Sequence, residues 1–337
     1  FAEHSCLSFY VTFWQLSLPD VDQTGIKERY RETIQNFQRQ AAPVHTERRY
    51  NSRIPKQDTP EQRRAKEEIT KLNKERDSVV KIAQATQSQL RVEMSRWFAD
   101  VPMVGPRSDA LHLTLLQDCF IPRSRMSLHD AQYSSAMFHF MHSSGVPGFR
   151  TIKLLDLLFT ANKLSALIGM YSEEESKNFG RFLNDVLREL QKWHDNKNDA
   201  YARSAYGKDR KLPGFGRKFD TDRNPETHLD YNDFCHVLFK WHKALCTALK
   251  ACIESGKFSE IRNAISVLNA VSSSFPKVDT MRDELQAPLE RIAENDERDD
   301  LKISAQSTFR IFKQGKVHWR TEWQYRNVSR NGKARSF

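Results

Sequence analysis

The stretch LDYNDFCHVLFKWHKALCTALKACI, residues 229–253, decides the fold class of this chain. Its apolar side chains recur at every third or fourth position. They are Phe234, Val237, Leu238, Trp241, Leu245, Ala248, Leu249, Cys252 and Ile253. This spacing predicts one face of a helix and not a strand. Asp230 suits the helix N-cap, and Gly256 suits its end because glycine tolerates positive φ.

A second amphipathic helix follows this first one at once. Its apolar positions are Phe258, Ile261, Ile265, Leu268 and Val271, and Pro276 ends it. Two such helices joined by a tight turn form an αα-hairpin. Because one hairpin cannot bury its own apolar face, we expect neighbouring hairpins to stack on it and Trp241 to be buried between them.

The remaining chain reads as further helices joined by short connections, with no β signal. Helices are predicted at residues 6–18, 26–40, 61–100, 110–119, 127–143, 151–171, 172–193 and 280–293, with a final short element at 304–312. A buried strand is the alternative for residues 6–18.

The prediction is therefore an all-α fold, an irregular α-solenoid of stacked helical hairpins with one long polar, coiled-coil-like helix. We expect N-terminal helices and a mobile loop at 1–60, the long helix at 61–100, a helical-repeat body at 101–300 and a basic aromatic tail at 301–337.

The long helix carries a thin apolar stripe, which Arg76 and Thr86 interrupt. The stripe fits either a solvated helix laid across the body or a coiled coil with a partner chain, and strong coiled-coil seams hold more apolar residues. Its candidate partner-binding residues are Leu72, Val79, Leu90 and Trp97.

Charge is unevenly distributed in this chain, whose formal net charge is +10. Residues 310–337 carry eight Lys or Arg against one Glu, whereas residues 283–300 carry eight Asp or Glu against two Arg. Cations interleaved with aromatic rings can neutralise phosphates and stack on unpaired bases. The candidate nucleic-acid-binding residues are Lys208, Arg210, Lys211, Arg217, Lys218, Lys316, Trp319, Arg320, Trp323, Arg326, Arg330, Lys333 and Arg335. The alternatives are a solvated loop at 208–218 and a tail whose tryptophans pack on the helical body.

Motifs of catalysis and cofactor binding do not occur in the sequence. There is no phosphate loop, dinucleotide fingerprint, nucleophile elbow or H-E-x-x-H pair. His236 and His242 lie six residues apart without a carboxylate at ligand spacing, so satisfied histidines are expected rather than a metal site. The five scattered cysteines fit reduced core residues. We therefore expect no catalytic residue, cofactor, metal, small-molecule substrate or membrane span. Because the chain lacks an initiator Met and a signal-peptide pattern, it reads as part of a longer protein.

Four ordered motifs resemble a known family. They are FYVTFWQLSL at 9–18, CFIPRSRMSLHDAQY at 119–133, FGRFL at 179–183 with Trp193 and Tyr201, and residues 229–243 with ESGKF at 254–258 and FPKV at 275–278. Over about residues 7–280 the chain resembles the C-terminal half of the large second subunits of the THO complex, the core of the TREX mRNA-export machinery. Residues 41–60, 207–227 and those after 300 depart from the family pattern.

The resemblance implies a nuclear, non-enzymatic helical scaffold. Such a scaffold would bind other THO subunits and help to recruit a DEAD-box RNA helicase and messenger ribonucleoprotein, with weak and nonspecific contact to mRNA. The alternative that the residues themselves leave open is a direct RNA- or DNA-binding helical module that acts through the basic loop and tail.

Overall fold

The structure, a computed structural model, describes residues 6–42, 58–196, 199–314 and 319–327. Among them the helices are α1 Leu7–Gln15, α2 Leu18–Val21, α3 Gln23–Ala41, α4 Pro60–Trp97, α5 Pro106–Thr114, α6 Ile121–Ser124, α7 Leu128–Ser143, α8 Thr151–Leu158, α9 Ala161–Met170, α10 Glu173–Asp195, α11 Asp199–Tyr206, α12 Tyr231–Ile253, α13 Phe258–Val271, α14 Asp279–Asn295, α15 Asp299–Gln314 and α16 Glu322–Tyr325. The all-α prediction is confirmed. The mobile loop expected at the end of residues 1–60 lies largely outside the described residues.

The chain forms two compact units, one of residues 16–92 and one of the described residues of 1–15 and 93–337. The first unit contains α2, α3 and most of α4. The second contains α1, the last residues of α4 and all later helices. The domain boundaries at 60, 100 and 300 remain a prediction.

The larger unit is built on the hairpin that the sequence predicts. Asp230 caps α12 by accepting a hydrogen bond from the Asp233 N–H at 2.8 Å, and Gly256 turns the chain toward α13 with φ of +76°. α12 packs on α9, α13 and α14, while α13 packs on α10, α9 and α15. Trp241 is fully buried, as predicted. These contacts cover the apolar faces that the hairpin alone would leave exposed.

The close packing of α10 against α13 depends on a glycine. A Cβ atom at Gly180 would lie 2.7 Å from the Ala270 Cβ atom and 3.1 Å from the Val267 Cα atom. Real side chains do not approach so closely, so only glycine lets the two helices reach this separation. Asn184, one turn further along α10, accepts a hydrogen bond from the Ser274 hydroxyl at 2.7 Å and ties α10 to the end of α13.

Two helix boundaries differ from the predictions. The helix predicted at 110–119 does not end there: the chain continues through a π-helical turn, Leu115–Phe120, and past Pro122 into α6. Proline cannot donate to the carbonyl four residues earlier, that of Asp118. The Trp14 indole N–H donates to this carbonyl instead, at 3.2 Å.

The helix predicted at 151–171 is divided into α8 and α9, because Thr160 is extended and its hydroxyl caps the end of α8 at 3.1 Å from the Leu157 carbonyl.

The expected absence of strands was wrong at one place. β1 Gly216–Phe219 and β2 Pro225–His228 form an antiparallel hairpin within the 207–227 break. Its turn is closed by the Asp220 carboxylate, which accepts from the Asn224 N–H at 2.8 Å. The strands are short and mostly charged or polar, so they lack the apolar alternation by which a half-buried strand is recognised.

Candidate partner-binding and nucleic-acid-binding surfaces

The long helix α4 lies antiparallel to α3 within the smaller unit. Three hydrogen bonds set this register: Gln87 to the Val21 carbonyl at 3.2 Å, Tyr30 to the Glu75 carboxylate at 2.9 Å, and Gln62 to the Ala42 carbonyl at 3.3 Å. In these three pairs the residue numbers fall along α4 while they rise from 21 to 42, so the two helices run antiparallel. A helix within the same chain therefore lies alongside the thin stripe of α4.

The four predicted partner-binding residues of α4 differ in exposure. Leu90 and Trp97 are buried within this chain, with 2% and 1% of their surface exposed. The Trp97 ring packs edge-on against Phe9 at 5.2 Å. Leu72 and Val79 are half-buried. Only these last two retain surface that a partner could cover.

The predicted basic loop follows α11 and leads into the β-hairpin. Its five candidates, Lys208, Arg210, Lys211, Arg217 and Lys218, are all exposed. Arg217 pairs with the Asp233 carboxylate at 2.5 Å, and the Arg210 guanidinium lies 6.0 Å from the Tyr206 ring centroid. The three lysines form no ion pair with any described residue. The loop thus presents unneutralised lysines on a folded framework.

The described part of the tail, residues 319–327, packs on the larger unit. Arg320 joins a parallel bridge with Val278 and pairs with the Asp195 carboxylate at 2.7 Å. Arg326 pairs with Glu322 at 2.8 Å. Trp319 is half-buried, with the Arg282 guanidinium 5.1 Å from its ring centroid, and Trp323 is also half-buried. The candidates Lys316, Arg330, Lys333 and Arg335 lie outside the described residues.

Tyr325 holds this tail segment in place, whereas the sequence predicts for it only the role of an aromatic ring among the tail's charges. Its ring is fully buried and stacks on His194 with 4.3 Å between centroids. Its hydroxyl donates to Gln191 at 3.0 Å and lies 3.2 Å from the His242 Nε2 atom. The His194 Nε2 atom donates to the Tyr325 carbonyl at 2.8 Å. The only sequence signal was one tyrosine among charges, which is typical of a solvated tail as well.

Buried histidines form a second polar feature of the core. His112, His142 and His242 are almost completely inaccessible to water. Burial lowers the pKa of His112 and His142 to about 4 and that of His242 to about 3. Neutral imidazole is the form that a low-dielectric interior favours. These side chains therefore act as uncharged hydrogen-bonding groups at neutral pH.

Each of the first two histidines links separate helices. The His112 Nε2 atom accepts a hydrogen bond from the Arg150 N–H at 2.8 Å, while its Nδ1 atom lies 2.6 Å from the Ser108 carbonyl. His142 bonds Thr151 at 2.7 Å and the Ser204 carbonyl at 2.9 Å. Both ring nitrogens are occupied in each case, so these are satisfied core histidines.

No metal site emerges from the part of the chain that the structure describes. No group of three or more His, Cys, Asp or Glu side chains there could hold a metal ion. All five cysteines are buried thiols, and burial raises the pKa of Cys246 to about 12 and of Cys252 to about 11. Such thiols are poor nucleophiles. Among the same residues, no helix combines the length and the apolar character that crossing a membrane requires.

By fold, the chain is a helical-hairpin protein whose buried polar groups mostly serve packing. The sequence model of the Tho2 family, described as transcription factor/nuclear export subunit protein 2, matches residues 2–311. The chain therefore belongs to the Tho2 family.

Relatives from distant organisms agree with this assignment. The chain is 27% identical to THO complex subunit 2 of Arabidopsis thaliana over 319 residues, covering 94% of this chain and 16% of the relative. It is 27% identical to that of Homo sapiens over 301 residues, covering 87% and 18%. For Saccharomyces cerevisiae the identity is 29% over 192 residues, covering 56% and 10%. The chain thus spans less than a fifth of the length of these relatives.

Proposed function

We propose that this chain is a non-enzymatic scaffold segment of a THO complex, acting in the TREX machinery that couples transcription to mRNA processing and nuclear export. The family match over residues 2–311 carries the proposal. The relatives' names support assembly with other THO subunits. Recruitment of a DEAD-box RNA helicase and of messenger ribonucleoprotein, and location in the nucleus, belong to the same proposal.

The direct test is co-purification of the chain with co-expressed THO subunits over a range of salt concentrations. Packing of apolar faces should hold the partners at 0.5 M salt, because screening acts on charges and leaves apolar burial intact. Recovery of no THO subunit at any salt concentration would refute the scaffold function.

The half-buried pair on α4 gives a residue-level prediction. Replacing Leu72 and Val79 with Lys should raise the dissociation constant for partner subunits at least about tenfold, or about 1.4 kcal/mol. The fold should survive, because a lysine stem can lie along the helix while its ammonium reaches water. Ser78→Lys with Ala85→Lys is the matched control, since both positions are exposed on the same helix and also lie seven residues apart. Unfolding of the Leu72/Val79 variant alone would assign the stripe to the intramolecular core.

Direct binding of RNA or DNA through the basic loop and tail is a second candidate function. The exposed, unpaired lysines of the loop favour it. In the tail, Arg320 and Arg326 are already engaged in ion pairs, so the remaining tail candidates must supply most of the phosphate contacts.

Truncation after Asn327 tests this second function without disturbing the docked segment. It removes Arg330, Lys333 and Arg335, and each lost phosphate contact should reduce the slope of log affinity against log salt by about 0.7 for single strands. We expect a shallower slope by about 2 and an unchanged melting temperature.

Alanine at Trp319 or Trp323 should cost about 1–3 kcal/mol of RNA affinity if the rings stack on bases. Lower thermal stability with intact affinity would assign both rings to packing.

A further inference from the structure

A cleft of about 520 Å³ opens between α7, α10, α11 and the loop that follows α11. His142 and Trp193 line it, and both are almost fully buried. The two rings lie 4.9 Å apart, and the hydrogen bonds of His142 to Thr151 and to the Ser204 carbonyl fix the imidazole. The cleft therefore has a rigid inner wall.

The loop over this cleft is held in a defined conformation. It leaves α11 through Gly207, with φ of +77°, and Arg210 takes a positive φ of 54°. The Leu212 N–H donates to the Tyr206 carbonyl at 3.0 Å and closes the turn. Gly214 then passes so close to His142 that a Cβ atom there would lie 2.5 Å from the imidazole Nδ1 atom. The backbone of such a loop loses little further entropy on binding.

The outer rim of the cleft is mainly cationic. Arg203, Lys208 and Lys211 line it, are exposed, and form no ion pair with any described residue. Two carboxylates, Glu189 and Asp209, also line it. Burial acts to raise the pKa of Glu189, but the Lys192 ammonium at 3.0 Å and His139 outweigh it and lower the pKa. The rim thus combines three unpaired cations with two carboxyl groups.

This rim suits a peptide better than a nucleic-acid strand. Bases bind single-strand sites by stacking on exposed rings. Here Trp193 is buried against Phe215 and Phe234, and the Tyr206 hydroxyl donates to the Leu229 carbonyl. The Glu189 and Asp209 carboxylates also line the cleft, and the backbone N–H groups of a peptide can donate to them whereas phosphate oxygens cannot.

We propose that this cleft binds an acidic segment of a protein partner, with Arg203, Lys208 and Lys211 holding its anionic side chains. The shared chemistry is a short peptide bearing several negative charges, from Asp and Glu or from phosphoserine. The inference rests on the proposed scaffold function and adds the chemistry of one partner to it.

Fluorescence anisotropy on the whole 337-residue chain tests the cleft. The probes are fluorescein-labelled twelve-residue peptides of alternating Glu and Ser, the same peptide with phosphoserine, and a Gln/Ser peptide without charge. The charged peptides should bind and the neutral one should not. Lys208→Glu with Lys211→Glu should weaken binding at least tenfold. Lys81→Glu with Lys163→Glu is the control, since it makes the same change in net charge at exposed positions outside the cleft and should alter affinity less than twofold.

The binding data distinguish a modified partner, a plain acidic partner and a nucleic acid. A preference for the phosphoserine peptide would support the proposal with a modified partner, and equal binding would support it with a plain acidic one. No binding of either charged peptide, or equal losses in both double variants, would overturn it. Tighter binding of a twelve-nucleotide oligouridylate that depends on Lys208 and Lys211 would also overturn it, in favour of nucleic acid. If THO subunits co-purify with the chain at high salt while the peptides fail, only the cleft inference fails.

Discussion

Stability should fall steeply as the pH is lowered from 6.5 to 5, because buried neutral histidines resist protonation. The folded-state pKa values of His112 and His142 are about 4, below the value near 6.5 expected for the unfolded chain. Between these values the unfolded state binds more protons, so acid shifts the equilibrium toward unfolding. Each histidine should contribute about 1.4 kcal/mol per pH unit within the window. His242, with a folded pKa of about 3, also makes the folded state less stable as the pH falls.

The loss of stability between pH 6.5 and 5 can be assigned to histidines, because carboxylates take up protons at lower pH. Asp195 and Asp296 have folded pKa values of about 2 and ordinary values near 3.8, so their stabilising ionisation is lost only below about pH 4. Denaturant unfolding at pH 7, 6.5, 6, 5.5 and 5 measures the slope. His112→Gln should reduce that slope by about one histidine's share, 1.4 kcal/mol per pH unit. A free energy of unfolding that stays constant from pH 6.5 to 5 would contradict the assignment.

Trp241→Ala should lower the free energy of unfolding by about 3–5 kcal/mol. The side chain is fully buried, and its ring stacks on Phe159 with 6.1 Å between centroids. Its indole N–H also donates to the Asp156 carboxylate at 2.7 Å, so the substitution removes a charge-assisted hydrogen bond and leaves a cavity.

Phe258→Ala is the matched control for this substitution. Phe258 begins α13 of the same hairpin, but 38% of its surface is exposed, so its loss should cost clearly less than that of Trp241. Guanidinium unfolding monitored by circular dichroism measures both variants. Equal stability of wild type and Trp241→Ala would contradict the register of the hairpin.

The features that could be predicted from sequence are those set by neighbours in the chain. Asp230 caps α12 and Ser172 caps α10 through contacts only three residues long. The same locality explains the errors. The chain continues helically through Pro122, and the Asp118 carbonyl that proline leaves free accepts instead from Trp14, more than 100 residues earlier. No local pattern can contain that information.

The candidate surfaces show the same division. Exposure of Lys208 and Lys211 follows from their charge, and the structure agrees. The docking of Tyr325 depends on His194 and His242, which lie 131 and 83 residues away in sequence. Burial of Trp97 depends similarly on Phe9. Composition identifies which residues are chemically capable, whereas distant contacts decide which of them remain available to partners.

The docking of Tyr325 also limits how far the proposed binding residues of the tail can reach from the larger unit. Asn327, two residues later, donates to the Asn232 side chain at 2.6 Å and is anchored at the surface of the larger unit. Ten residues follow it in this sequence, and ten residues span at most about 35 Å when fully extended. If Arg335 binds a ligand, as proposed, that ligand lies within this distance of Asn327. Such an attachment would give a weakly bound ligand an effective concentration near the larger unit in roughly the millimolar range.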